Sequence, residues 1–148
     1  MIPVESPAAL LASQFALNRF LNDTISKKIA LARKDLENPP QPFPQTNLIQ
    51  KINTFYLNLV KIYEANIGQH SAGECGEFNR LINTLERLPK NGILENFPAV
   101  ANLVDSLNFF TTQYTAEQVY DFTHETTICL QLKDLFNALR EHTIHSEE

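Results

Sequence analysis

The chain has little of the material that disulfide scaffolds and turn-rich β folds need. Its 148 residues include four glycines, two cysteines and no tryptophan. Cys75 and Cys129 both fall in segments with helical periodicity, which indicates free thiols in a reducing compartment rather than a secreted disulfide framework. With so few glycines, tight turns between many short strands are not expected.

Long apolar runs are also absent. No stretch of the sequence approaches the ~20 apolar residues that a membrane-spanning helix needs, and the first residues lack the basic region of a secretory signal peptide. We therefore expect no signal peptide and no membrane span. The expected location is the cytoplasm, or another reducing compartment in which the protein is soluble.

Basic residues are too few to suggest a nucleic-acid partner. The formal net charge is -5 at pH 7, whereas binding to phosphates needs lysine and arginine gathered on one face. Lys27, Lys28, Arg33 and Lys34 form one basic cluster. They lie around the apolar stripe of a predicted helix, so we interpret them as a solvated helix face and expect no nucleic-acid partner.

Known catalytic motifs are missing as well. The sequence contains no glycine-rich phosphate loop, no serine nucleophile elbow and no carboxylate pair typical of glycosidases. We accordingly predict no catalytic residue, no cofactor and no metal, and favour a protein that is not an enzyme.

Helical periodicity is what the sequence does contain, and the first segment predicts a long helix over about residues 7–37. Ser6 is a favoured N-cap, and Pro7 suits the first helical position because its missing N–H would be unpaired there. Residues 38–45 then hold four of the eight prolines and predict an extended spacer. The predicted apolar stripe comprises Leu17, Leu21, Ile25, Ile29, Ala32 and Leu36.

Four more helices are predicted after the spacer. Thr46 is the expected N-cap of the second, and capping boxes at residues 71–74 and 115–118 open the third and the fifth. The fourth begins near Pro98, and the fifth reaches roughly Glu141. The second helix is apolar on most sides, with Leu57 widening its apolar face, so we expect it at the centre of the bundle.

These segments together predict an all-α fold. We expect a single domain over residues 1–148, a bundle of about five helices, mostly antiparallel, with the proline-rich spacer between the first two. Residues 1–5 and 143–148 are expected to fray.

Asp121 and His124 form the first candidate site. They extend the apolar stripe of the last helix toward its N-terminus, so both are expected to face the interior. A carboxylate three residues before a histidine can orient the imidazole or supply half of a bundle metal site. No second pair of this kind occurs in the sequence, so a hydrogen-bonded structural histidine is favoured over a metal ligand.

Cys75 is the second polar candidate. It lies in the first turns of the third helix, where the helix dipole favours a thiolate, and His70 lies five residues upstream. His142 and His145 could join these two as zinc ligands, but their spacing in an acidic tail is more typical of a solvated C-terminus. An inert thiol is the favoured interpretation of Cys75.

Phe109, Phe110 and Tyr114 form a candidate surface for a partner protein. Phe109 falls in register with the polar residues of the fourth helix, and aromatic rings at a surface are common anchors of binding hot spots. An aromatic ring at a helix joint more commonly folds back over the core, so the alternative is that these rings are structural.

Three functions follow from these candidates. The favoured one is a non-enzymatic helical module for protein-protein interaction, acting as an adaptor, inhibitor, chaperone-like factor or regulatory effector. The first alternative is a small-molecule or metal-binding bundle that uses Asp121 and His124. The second is a small enzyme that uses Cys75 or His124. The apolar stripes are wide enough that a homo-oligomer is also a possible assembly.

Overall fold

The all-α class is confirmed by the computed structural model. It describes residues 7–37, 46–66, 76–89, 95, 97–116, 118–120 and 128–145. Every regular element in these ranges is helical. The proline-rich spacer and the capping box at residues 71–74 lie outside the described residues, so both stay predictions.

Five helices have defined bounds, and a short helical stretch at residues 116 and 118–120 precedes the last of them. The first has the bounds that its periodicity predicted. The last continues to His145, and Thr143 is fully buried within it, so residues 143–145 belong to the helix rather than to a frayed end. The helices are α1 (Pro7–Glu37), α2 (Leu48–Asn66), α3 (Gly76–Glu86), α4 (Pro98–Gln113) and α5 (Ile128–His145).

The helix contacts close a ring. Among the described residues, α1 packs on α4, α4 on α2, α2 on α3, α3 on α5, and α5 back on α1. Each helix therefore has two main neighbours, and the expectation that α2 lies at the centre is wrong. Its outer side faces solvent, with Leu57 57% exposed.

Helices α1 and α4 run antiparallel. The backbone N–H of Ala99 donates to Asp35 at 2.7 Å, and Lys28 donates to the side chain of Asn102 at 3.5 Å. Residue numbers in α1 decrease, from 35 to 28, as those in α4 increase, from 99 to 102. The C-terminal end of α1 therefore lies beside the N-terminal end of α4.

Helices α2 and α4, in contrast, run parallel. Lys51 pairs with Asp105 at 2.8 Å, and Asn58, two turns further along α2, donates to Thr111 at 3.0 Å. Parallel neighbours need a connection that returns along their length, and α3 lies in that connection. The prediction of mostly antiparallel neighbours is therefore not met by this pair, and stays a prediction for the pairs that no hydrogen bond orients.

The core is one cluster of buried apolar side chains contributed by all five helices. In α1 it takes Ile25, Ile29, Ala32 and Leu36, the C-terminal part of the predicted stripe. Phe55 of α2 and the ring of Phe136 in α5 meet across the ring of helices, with centroids 6.4 Å apart.

The N-cap of α2 lies one residue later in the chain than the sequence predicts. The carbonyl of Asn47 accepts the first helical hydrogen bond, from Lys51 at 3.0 Å, so Asn47 and not Thr46 holds the N-cap position. Asn47 has a φ of 57°, a left-handed conformation that asparagine tolerates better than most residues.

Glu95 satisfies the free amides of this helix end from a distant part of the chain. Its carboxylate accepts from the backbone N–H groups of Leu48 at 3.1 Å and Ile49 at 3.4 Å, and from the Thr46 hydroxyl at 2.7 Å. Burial raises the pKa of the Glu95 carboxyl, but these hydrogen bonds lower it more, so the pKa lies below its ordinary value of 4.5.

We expect Glu95→Gln to lower the free energy of unfolding by about 1 kcal/mol at neutral pH, the usual cost of losing a cap. A carboxyl with a lowered pKa stabilises the fold above its unfolded pKa of about 4.5 and loses that effect as the pH falls through the folded pKa. The difference between variant and wild type should therefore shrink below that pH.

Urea unfolding at neutral and at acid pH measures this difference. Glu64→Gln is the matched control, because Glu64 is an exposed glutamate of α2 that caps none of the described helices. An equal loss in both variants, or a loss independent of pH, would contradict the capping role of Glu95.

Candidate interaction groove

The outer face of α4 carries the most exposed large apolar side chain in the described part of the chain. Phe109 is 65% exposed and shares this face with Asp105 and Asn102, one and two turns before it. The sequence predicts Phe109 on this polar side of the helix. Most of the phenyl ring is therefore in contact with solvent rather than with the core.

The two other aromatic residues predicted for this surface lie deeper. Phe110 is a core residue, 4% exposed, and its ring centroid lies 5.0 Å from that of the half-buried Tyr114. Phe110 is therefore part of the scaffold, and Phe109 and Tyr114 are the rings that the surface presents.

A groove of about 370 Å³ opens beside Phe109, between α1 and α4. Its floor is apolar, made of the buried Ile25 and Phe110. Its polar lining groups are side chains that also reach solvent. The described lining residues are Thr24, Ile25, Asp105, Ser106, Phe109, Phe110 and Tyr114.

Asp105 is the charged residue among the described lining side chains of this groove. It is held by Lys51 of α2 at 2.8 Å, so its carboxylate is partly neutralised. The predicted basic cluster of α1 is not part of this lining. Lys27, Arg33 and Lys34 are exposed, as expected for a solvated helix face, whereas Lys28 is half-buried and donates to Asn102.

A polar network between α2 and α4 fixes the position of α4. Besides the bond from Asn58 to Thr111, the Asn108 amide donates to the carbonyl of Lys51 at 3.1 Å. The Thr111 hydroxyl in turn donates to the carbonyl of Asn108 at 2.8 Å. Sequence reasoning missed these residues, because asparagine and threonine on a helix give no signal that separates a helix contact from a solvated surface.

The local capping box before residue 120 is confirmed. The backbone N–H of Thr115 donates to the Gln118 side chain at 2.9 Å, and the Gln118 N–H donates to the Thr115 hydroxyl at 3.2 Å. These two hydrogen bonds start a new helical turn directly after Tyr114. Tyr114 is therefore the last residue of the aromatic surface before the chain enters the next turn.

The remaining predicted sites fall largely outside the described residues. Asp121, His124 and Cys75 all do, so their roles stay predictions. His142 is half-buried rather than solvated, and its ring meets that of Phe97 edge-on with centroids 6.1 Å apart. Within the described ranges, no group of three or more histidine, cysteine, aspartate or glutamate residues is placed to hold a metal ion.

Comparisons with protein-family models, with curated proteins and with solved structures found no match to this chain. Among the described helices, none combines the length and apolar character needed to cross a membrane. Functional inference therefore rests on the geometry of the groove.

Truncation of Phe109 and of Phe110 should change the free energy of unfolding by very different amounts. We expect Phe110→Ala to lower the free energy of unfolding by about 3–5 kcal/mol, because it leaves a cavity in the core. Phe109→Ala should change it by about 0.5 kcal/mol or less, as for most surface substitutions. Urea unfolding of both variants makes the comparison, and similar losses would show that Phe109 supports the fold.

Proposed function

We propose that this protein is a non-enzymatic helical interaction module that binds a protein partner through the groove beside Phe109. The observation that carries the proposal is the 65% exposure of Phe109 above an apolar floor. Exposed aromatic rings beside a pocket are typical anchors of binding hot spots.

The shape of the groove favours an amphipathic helix as the bound segment. The groove lies between two antiparallel helices, and laying a third helix into such a depression is a common mode of recognition. An apolar side chain of the partner would contact Ile25 and Phe110 on the floor, while Phe109 and Tyr114 would close around it.

We also propose that residues 38–45 form the extended spacer predicted from their prolines. Asp35 lies at the N-terminus of α4 on one side, and the start of α2 is held by Glu95 on the other. The two ends that the spacer joins, Glu37 and Thr46, therefore lie near the N-terminal end of α4. Eight residues extended at about 3.1 Å each cover about 25 Å, more than two helix-to-helix spacings of 8–10 Å.

A regulatory or effector role in a reducing compartment is the biological setting that we propose. Cys129 is a buried thiol rather than half of a disulfide, which agrees with such a compartment. The ligand-binding alternative with Asp121 and His124, and the enzyme alternative with Cys75 or His124, stay predictions.

The test is affinity capture of partners from the native cell with three forms of the protein. Wild type and Leu57→Ala should retain the same partner, because Leu57 is also apolar and largely exposed, at 57%, but lies on α2. Phe109→Ala should lose it, with at least about a tenfold drop in affinity once the partner is purified, as for a hot-spot residue.

Two outcomes would count against the proposal. Equal retention by all three forms would place any partner elsewhere on the surface. Concentration-dependent self-association that Phe109→Ala abolishes, measured by analytical ultracentrifugation, would identify the bound segment as a second copy of this chain.

A further inference from the structure

A second cleft lies between α3 and α5, on helices that take no part in the Phe109 groove. Its volume is about 380 Å³, within the range of small-ligand pockets. The two helices contribute polar side chains at helical spacing, so that they converge from both sides. The described lining residues are Arg80, Asn83, Thr84, Arg87, Lys133 and Asn137.

The chemistry of this cleft is cationic. Three of its six described lining side chains carry positive charge, two are amides that can donate hydrogen bonds, and none is a carboxylate. Glu86 and Asp134 are exposed close by along the chain but are not among the lining residues. In a protein whose net charge is -5, a cleft with three cations and no carboxylate among its described lining side chains differs from the average composition of the surface.

Arg87 is the cation that a ligand can engage without breaking a bond inside the protein. It is exposed, and its guanidinium makes no ion pair with a residue of the described part of the chain. Arg80 and Lys133 already have partners within the protein, and they add positive potential. A guanidinium presents a planar set of donors that matches the oxygens of a phosphate.

Two local effects oppose an anion here. Glu86 and Asp134 are exposed close by along the chain. Arg87 also directly follows the last residue of α3, and the C-terminal end of a helix carries about half a unit of negative charge. Against these, the described lining brings three formal positive charges and no carboxylate, and Arg80 and Lys133 also interact with other groups of the protein.

We propose that the α3–α5 cleft binds a small anion of the phosphate class, either inorganic phosphate or the phosphate group of a small phosphorylated molecule. Arg87 holds the phosphate oxygens, Lys133 faces them from α5, and the amides of Asn83 and Asn137 donate from the sides. The proposal is independent of the Phe109 groove, because the two sites share no helix.

The test is a titration of the full chain with inorganic phosphate and with pyrophosphate at low ionic strength. Binding is followed by the NMR shifts of the arginine side-chain N–H groups. We expect Arg87→Ala to weaken phosphate binding by about tenfold, the loss typical of a charged hydrogen-bonded contact, and Arg87→Lys to lose less. The matched control is Arg33→Ala, which removes the same charge from an exposed arginine of α1.

The outcomes are distinct. Retained phosphate binding in Arg33→Ala with loss in Arg87→Ala and Lys133→Gln supports the site, and tighter binding of pyrophosphate would indicate a phosphorylated molecule as the ligand. Equal loss in Arg33→Ala and Arg87→Ala would overturn the proposal, because it would reflect net charge only. Tighter binding of citrate than of either phosphate would also overturn it, in favour of a carboxylate ligand.

Discussion

The hydrogen bonds that two carboxylates make at helix N-termini are the interaction on which the rest of the structure depends. The carboxylate of Asp35 in α1 accepts a hydrogen bond from a backbone N–H of α4. The carboxylate of Glu95, just before α4, accepts hydrogen bonds from two backbone N–H groups of α2. Each bond satisfies donors that a helix end leaves unpaired and places negative charge at the positive end of a dipole. Together they fix where α1 and α2 lie beside α4, because each joins a helix end to a different segment.

The Phe109 groove is a consequence of that arrangement. With α4 held by α1 on one side and by the polar network of Asn58 and Asn108 on the other, its third face is covered by none of the described helices. An apolar ring on that face is therefore exposed by the geometry of the ring of helices, while Phe110, the next residue, turns into the core. Adjacent phenylalanines on one helix thus serve two purposes, surface and core, because successive residues differ by about 100° around the axis.

The features of this fold that can be predicted from the sequence are those that depend on residues close together in the chain. The start of α1 at Pro7, the reciprocal pair of Thr115 and Gln118, and the buried stripe from Ile25 to Leu36 all follow from neighbours within one or two turns. The cap from Glu95 to Leu48 joins residues 47 apart, and that from Asp35 to Ala99 joins residues 64 apart, so no local spacing reveals them. The burial of α2 is also lower than its apolar sequence predicts. Apolar composition gives the width of a stripe, but the number of neighbouring helices decides how much of it is covered.

The two candidate sites are physically complementary, which makes them separable in one protein. Contact at the Phe109 groove removes apolar surface from water, and excluded salts strengthen such contacts. Attraction at the cleft of Arg87 and Lys133 acts between exposed charges, and salt screens it over about 10 Å at 0.1 M ionic strength. Because the first site lies between α1 and α4 and the second between α3 and α5, occupation of one leaves the other open. Rising ionic strength therefore shifts the balance from the cationic cleft toward the apolar groove, and any coupling between them must pass through the shared core.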